Sequence, residues 1–183
     1  MNLPNLITLI RIILVPVMVI FLLAGKHGHA LVVFVIAVIS DGVDGFIARA
    51  FKQKTSLGAF LDPLADKLLL TTAYIILSVY HFVPVWLAVM IVSRDVIILS
   101  GLAVLSAYDR FPDIKPTIDS KITTFFQMST VVYLLAYNHA AADSRFGAYL
   151  MLVTALMTAI SGTRYIIIGF RLYDRINEES DQA

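Results

Sequence analysis

DGVDGFIARAFKQKTSLGAFLDPLAD, residues 41–66, places four aspartates between two long apolar stretches. An ionised side chain at bilayer depth costs about 3 kcal/mol or more unless something neutralises it, so an intramembrane Asp indicates function. The polar sequence FKQKTS, residues 51–56, divides the aspartates into two pairs. This predicts a helical hairpin in which the carboxylates of one helix meet those of its neighbour. The four are Asp41, Asp44, Asp62 and Asp66.

The spacing within the segment places small and charged residues on shared helix faces. At about 100° per residue, positions three or four apart lie on the same side of a helix. The small residues would let a phosphate or nucleotide approach the backbone closely. The first face comprises Asp41, Asp44, Gly45, Ala48 and Arg49, and the second comprises Gly58, Asp62 and Asp66.

A carboxylate cage without His or Cys indicates a hard divalent cation, here Mg²⁺ with Mn²⁺ as a substitute. Such ions take oxygen ligands and complete their shell with water and substrate phosphates. Two divalent ions would balance the four aspartates, and a diphosphate diester would then bring its own charge of about −2. Holding substrate phosphates is the usual use of such a carboxylate cage.

The segment resembles a known family signature at every fixed position. The pattern D-x2-D-G-x2-A-R-x8-G-x3-D-x3-D of the CDP-alcohol phosphatidyltransferases is present in full in residues 41–66. The resemblance implies transfer of a phosphatidyl group from CDP-diacylglycerol to an alcohol, with release of CMP. It also implies that Asp41, Asp44 and Asp62 hold two Mg²⁺ ions, and that Asp66 is the general base and helps to hold a metal.

The resemblance assigns the remaining motif positions to the substrate. Gly45, Ala48 and Gly58 would line the nucleotide pocket. Arg49 would either contact phosphate or orient a neighbouring carboxylate, and the sequence leaves both open. Relatives in this family are commonly homodimers, which is the expected assembly.

Composition bounds the class of protein. The chain has 183 residues, of which 59% are hydrophobic and 15% charged, which is typical of an integral membrane protein. Apolar segments fill its length, so one membrane domain over 1–183 is expected. The net charge of +1 gives no indication of nucleic-acid binding. The absence of Cys excludes disulfides, thiolate metal sites and Cys nucleophiles.

Six apolar stretches are long enough to span a bilayer, since a span needs about 20 helical residues. The prediction is an all-α bundle of six transmembrane helices at 4–24, 29–50, 57–80, 83–107, 119–138 and 146–171, followed by a short, frayed polar tail. The positive-inside rule places both termini and the aspartate hairpin at the cytosol, in a bacterial inner membrane. The cationic side carries Arg49, Lys52, Lys54, Arg110, Lys115, Lys121, Arg171 and Arg175, against Lys26 and Arg145 opposite.

Polar residues outside the motif have a structural and a functional interpretation. Asn5 and Thr8 either cap the first helix or line the substrate mouth. Arg110 and Lys121 either obey the positive-inside rule and attract anionic membrane lipids or bind an acceptor phosphate. For Lys121, which enters an apolar segment, we expect the phosphate.

The SRD sequence at 93–95 lies in the middle of the fourth span. Arg94 either forms an interhelical ion pair or binds an acceptor phosphate. Adjacent helical positions do not face each other, so Arg94 and Asp95 are expected to serve different neighbours. For the same reason Lys67 is expected to reach the membrane interface rather than pair with Asp66.

Two glycerol-based acceptors fit the resemblance, glycerol 3-phosphate and phosphatidylglycerol. The start of the chain and the motif resemble phosphatidylglycerophosphate synthases and cardiolipin synthases, while SRDVIIL and KPTIDSKITTFFQ are closer to the latter. Glycerol-phosphate-using relatives usually carry an Arg shortly after the span 4 motif, whereas LSGLAVLS at 99–106 has no basic residue.

Two other classes of protein also place aspartates in membranes. Polyprenyl transferases resembling UbiA need two separated Asp-rich motifs and about nine spans, whereas here the motifs lie in one hairpin. A cation transporter needs polar residues that continue across the membrane, whereas ALVVFVIAVIS at 30–40 is apolar. Both alternatives are therefore disfavoured.

Overall fold

The computed structural model describes residues 3–50, 56–107, 118–137 and 144–180, with side chains at 9–40, 67–101, 118–137 and 144–169. Within these ranges the chain forms six α-helices and no strand, as predicted. The last helix continues nine residues beyond its predicted end, so the tail before Ser180 is helical rather than frayed. The helices are α1 (Leu3–Leu23), α2 (His27–Ala50), α3 (Ser56–Val79), α4 (Val85–Ala107), α5 (Ile118–Tyr137) and α6 (Arg145–Ser180).

The turn between α1 and α2 occupies three residues and ends α1 with a glycine in the left-handed region. Gly25 has φ 69°. The amide of Lys26 donates to the carbonyl of Phe21 at 2.9 Å, and the amide of Gly25 donates to that of Leu22 at 3.0 Å. These paired bonds satisfy carbonyls that the end of a helix otherwise leaves without partners.

The turn between α3 and α4 ends its helix in the same way, but without glycine. His81 has φ 63°, and its amide donates to the carbonyl of Ser78 at 3.0 Å. The amide of Phe82 donates to the carbonyl of Leu77 at 2.9 Å. A non-glycine residue in this conformation carries a steric cost of about 1–2 kcal/mol, which the surrounding packing must offset.

These two turns lie together at one end of the bundle, which we call the turn end. The Tyr80 hydroxyl donates to the carbonyl of Leu23 at 3.4 Å, and the rings of His27 and Phe82 lie 5.2 Å apart. Below the turns lies the apolar core. Its fully buried members include Met18, Leu22, Phe34, Leu69, Tyr74, Leu77, Leu87, Ile91 and Leu134.

The outer surface of the bundle is also apolar. Large hydrophobic side chains are exposed on every helix whose side chains are described, which is the pattern expected when lipid covers the surface. By length and composition, one helical segment among the described residues, Arg145–Gly169, suffices on its own to cross a membrane. The exposed side chains include Ile13, Ile20, Val32, Ile39, Val79, Trp86, Val89, Phe125, Leu152 and Leu156.

A buried polar seam joins α5 to α6. The hydroxyls of Thr130 and Thr154 lie 2.8 Å apart, and Gln127 Nε2 donates to Thr158 Oγ1 at 3.2 Å. In a membrane, lipid is as apolar as the helix surface, so the hydrophobic effect does not drive helices together. Hydrogen bonds between hydroxyl and amide side chains of neighbouring helices then contribute to their association. The seam therefore fixes the register of α5 against α6.

Candidate functional site

The aspartate motif lies on two helices of the same bundle. Asp41 and Asp44 belong to the last ten residues of α2, and Asp62 and Asp66 to the first half of α3. Helix α1 packs against both α2 and α3, and so does α5. The four carboxylates, together with Gly45, Ala48, Arg49 and Gly58, lie outside the residues whose side chains are described, so their convergence stays a prediction.

A buried ionic cluster begins at the residue that follows Asp66. Lys67 Nζ donates to Asp95 Oδ1 at 2.6 Å, which ties α3 to α4. Arg94 Nη1 donates to the same carboxylate oxygen at 2.7 Å. Asp95 is 4% exposed and Arg94 5%. Two cations therefore share one carboxylate in the interior.

Arg94 also joins α4 to α5 and α6. Its Nη2 donates to Ser120 Oγ at 2.7 Å and to Ser161 Oγ at 2.9 Å. A Cβ placed on Gly162 would lie 3.6 Å from Arg94 Cγ, so the small residue lets α6 approach the arginine closely. Together Lys67, Arg94, Asp95, Ser120 and Ser161 form what we call the polar network.

Arg94 and Asp95 serve different neighbours as expected, Ser120 and Ser161 for the arginine and Lys67 for the aspartate, but two further expectations for these residues were wrong. Arg94 and Asp95 do contact each other, because the arginine stem is long enough to bend back to the next position on the helix. Lys67 pairs with Asp95 across the helix contact rather than reaching the interface. The ion pair of Arg94 lies within α4, and its contacts with other helices are hydrogen bonds from Nη2 to Ser120 and Ser161. The interhelical ion pair of the network is the one between Lys67 and Asp95, and phosphate binding by Arg94 stays a prediction.

A second ion pair, between Arg164 of α6 and Asp119 of α5, lies beside the network. Its arginine is half-exposed, with 55% of the side chain accessible. The neighbouring Thr123 hydroxyl lies 2.8 Å from the carbonyl of Asp119 and 3.0 Å from that of Met157. These contacts hold the start of α5 against the middle of α6.

The other candidate substrate residues fall at different places. Lys121 lies in the first turn of α5 and is exposed, one residue beyond Ser120 of the network. Asn5 and Thr8 lie in the first two turns of α1, outside the described side chains. Arg110 lies outside the described residues. For all four, substrate binding stays a prediction.

The donor chemistry of the motif fits a divalent metal. Four carboxylates at two helix sites, without a thiol or imidazole in residues 41–66, offer the oxygen ligands that hard cations require. Among the residues whose side chains are described, no group of three or more His, Cys, Asp or Glu residues could hold a metal ion. The motif therefore offers a donor set that suits such an ion.

Comparison with known proteins agrees with the motif and the helical architecture. The model of the CDP-alcohol phosphatidyltransferase family matches residues 1–161. The chain belongs to this family of membrane enzymes, which use divalent metal ions, and is itself a CDP-alcohol phosphatidyltransferase.

Individual relatives carry three different names. The chain is 37% identical over 92% of its length to "Cardiolipin synthase (CMP-forming)" of Rattus norvegicus, of which it spans 61%. It is 34% identical over 90% of its length to "CDP-diacylglycerol--glycerol-3-phosphate 3-phosphatidyltransferase" of Bacillus subtilis, of which it spans 93%. It is also 34% identical to "Probable phosphatidylglycerophosphate synthase" of Mycobacterium tuberculosis, of which it spans 82%.

Proposed function

We propose that this enzyme transfers the phosphatidyl group of CDP-diacylglycerol to a glycerol-based alcohol and releases CMP. The observation that carries the proposal is the complete eight-position motif on α2 and α3, within the region that the family model matches. Relatives whose names specify CDP-diacylglycerol or CMP formation support the donor.

The motif aspartates have two roles in this proposal. Asp41, Asp44, Asp62 and Asp66 hold two Mg²⁺ ions, for which Mn²⁺ can substitute. When bound, the metals neutralise the charge of the diphosphate. Asp66 also accepts the proton of the acceptor hydroxyl.

The reaction is a substitution at the phosphorus of the phosphatidyl group. The acceptor oxygen forms a bond to this phosphorus, and the bond between the phosphorus and the bridging oxygen of the diphosphate breaks. CMP leaves with that oxygen, while the acceptor proton goes to Asp66. Phosphoryl transfer depends mainly on positioning and on electrostatic stabilisation, so the protein must hold both substrates in line.

Small and basic residues position the two substrates. Gly45, Ala48 and Gly58 line the nucleotide pocket, where the absence of large side chains allows close approach to the backbone. Arg49 contacts phosphate or orients a carboxylate.

Further polar residues are proposed for the acceptor side. Arg110 and Lys121 bind the acceptor phosphate, and Asn5 and Thr8 line the mouth. Arg94 keeps an N–H group for such a contact at Nε, which has no hydrogen-bond partner among the residues that the structure describes.

Two acceptors have specific support. Glycerol 3-phosphate is named for the Bacillus subtilis relative, of which the chain spans 93%. Phosphatidylglycerol is the acceptor that the sequence resemblance to cardiolipin synthases implies, and the rat cardiolipin synthase has 37% identity over the aligned region. Both products are anionic phospholipids.

The enzyme is proposed to span a bacterial inner membrane six times, with the active site facing the cytosol. The apolar outer surface of the described helices supports the spanning bundle. The excess of Lys and Arg at the motif side supports the orientation. Membrane lipids surround the bundle, and two copies are proposed to form a homodimer.

CMP release tests the proposal. Purified protein receives CDP-diacylglycerol and Mg²⁺ with glycerol 3-phosphate, phosphatidylglycerol, inositol or serine. We expect CMP with one of the two glycerol-based acceptors, none with inositol or serine, and none after metal removal with EDTA until Mg²⁺ is restored. If none of the four acceptors gave CMP, the proposed reaction would be refuted.

A further inference from the structure

The ion pair between Lys67 and Asp95 has a geometry that the proposed reaction does not itself require. Lys67 Nζ lies 2.6 Å from Asp95 Oδ1, although Arg94 Nη1 already neutralises the same oxygen at 2.7 Å. The cluster therefore holds two cations for one carboxylate. Burying an additional charge is costly, and a buried ion pair is weak evidence for stability, so a role in specifying geometry is the better explanation.

Asp95 belongs to a frame that three helices hold in place. Arg94 bonds to Asp95 on α4, to Ser120 at the start of α5, and to Ser161 in the middle of α6. Because the guanidinium is planar and its bonds diverge, these contacts fix where the Asp95 carboxylate lies. Lys67 attaches α3 to this frame.

The attachment point lies directly beside the motif on the same helix. Lys67 follows Asp66 by one residue and Asp62 by five, and α3 is continuous from Ser56 to Val79. On a helix these steps correspond to rotations of about 100° and about 140°. Tying Lys67 to Asp95 disfavours rotations of α3 that carry Lys67 away from α4, and so restricts the directions available to Asp62 and Asp66.

We propose that Lys67 and Asp95 are positioning residues whose ion pair sets the rotation of α3 and so aims Asp62 and Asp66 at the metal site. This inference rests on the proposed metal role of the aspartates. Lys67 acts through the helix and does not touch the substrate. Its removal therefore weakens metal binding in protein that is still folded.

The test measures Mn²⁺ binding to the purified full chain in detergent by electron paramagnetic resonance, without turnover. Lys67→Met removes the attachment, yet Asp95 keeps Arg94 at 2.7 Å and so stays neutralised. Lys67→Arg restores a cation that can reach Asp95. Lys26→Met removes a lysine at the turn end, where Lys26 is exposed. Thr130→Val removes the buried bond to Thr154 in the seam.

We expect Lys67→Met to raise the dissociation constant for Mn²⁺ about tenfold, as supporting residues of metal sites do. The dissociation constant of Lys67→Arg should lie near the wild-type value. The two controls, Lys26→Met and Thr130→Val, should have the wild-type dissociation constant. If Lys67→Met does not fold, Lys67→Gln replaces it, because its amide still offers a donor to Asp95; a smaller loss of the same sign is then expected. Wild-type affinity in the folded Met or Gln variant overturns the inference.

Asp41→Asn distinguishes this failure from failure of the proposed function. Asp41 is a motif residue on α2, away from the Lys67 attachment. If Asp41→Asn weakens Mn²⁺ binding and Lys67→Met does not, the metal role stands and the positioning role is wrong. If Asp41→Asn has no effect, the metal role itself is wrong.

Discussion

The turn end and the polar network hold the bundle together by different means. At the turn end, short capped turns join α1 to α2 and α3 to α4 over an apolar core that includes Leu77 and Leu87. In the polar network, α3 to α6 are joined by hydrogen bonds and ion pairs around one arginine, Arg94. Apolar packing tolerates adjustment, whereas a divergent set of charged bonds fixes positions.

The difference indicates where the molecule needs accuracy. Transfer of a phosphatidyl group depends on holding reacting groups in place to within a fraction of an ångström. The residues that fix helix positions by charge, Lys67 and Asp95, adjoin the motif helix α3 beside Asp66. The turn end can therefore be altered with loss of stability alone, whereas alteration near the motif should also affect chemistry.

The largest effect is expected from Asp66→Asn, which separates chemistry from folding. Losing the proton acceptor should reduce turnover about a thousandfold, while binding of the cytidine nucleotide and thermal stability are retained. Steady-state CMP release and nucleotide binding to the same preparation measure this. A variant with near-normal turnover would show that Asp66 is not the base.

Arg94→Met should produce the largest loss of stability. It removes the bonds to Asp95, Ser120 and Ser161 together, and breaking a buried charged network costs about 3 kcal/mol. Equilibrium unfolding in mixed micelles measures the change. The matched control, Arg164→Met, removes the half-exposed pair with Asp119 and should cost about 1 kcal/mol or less. Equal losses in the two variants would mean that burial of the network has no special effect.

Leu87→Ala tests the turn end. Leu87 is fully buried, so truncation should lower the free energy of unfolding by about 2–3 kcal/mol. Because the change is remote from the motif helix ends, the Mg²⁺ concentration for half-maximal activity should stay at the wild-type value. A shifted Mg²⁺ titration in Leu87→Ala would show that the two regions are not separable.

The smallest expected effects come from one substitution in each of the two turns, Gly25→Ala and His81→Gly. Gly25→Ala should cost about 1 kcal/mol from backbone strain alone, because φ is 69° and a Cβ there meets no atom within 4 Å. His81→Gly should relieve the same kind of strain at φ 63°. Part of this gain in stability is offset, because glycine gives the unfolded chain more conformational entropy to lose on folding. Thermal denaturation in detergent compares them. A Gly25→Ala variant as stable as the wild type would contradict the strain assigned to this turn.

The helices were predictable because their lengths follow from uninterrupted apolar sequence. Predicted and observed ends differ by at most two residues, except at the end of α6, which runs to Ser180 instead of 171. Beyond residue 171 the sequence becomes polar, but the helix continues. The end of an apolar stretch therefore does not give the end of a helix.

The contacts of long side chains were not predictable in the same way. Helical spacing gives the direction of a Cβ, but Lys67 and Arg94 have stems of three or four carbons that can reach round the helix to Asp95. The roles of Ser120 and Ser161 depend on which helices adjoin, and a single sequence does not contain that information. The aspartate motif was visible because its spacing is local.

Counting bound Mn²⁺ tests the central claim most directly, that carboxylates of α2 and α3 share their divalent ions. The measurement compares wild type with Asp41→Asn on α2 and Asp62→Asn on α3. We predict two ions per wild-type chain in the presence of CDP-diacylglycerol, with binding weakened by either single substitution. Wild-type stoichiometry and affinity in either variant would contradict the shared site.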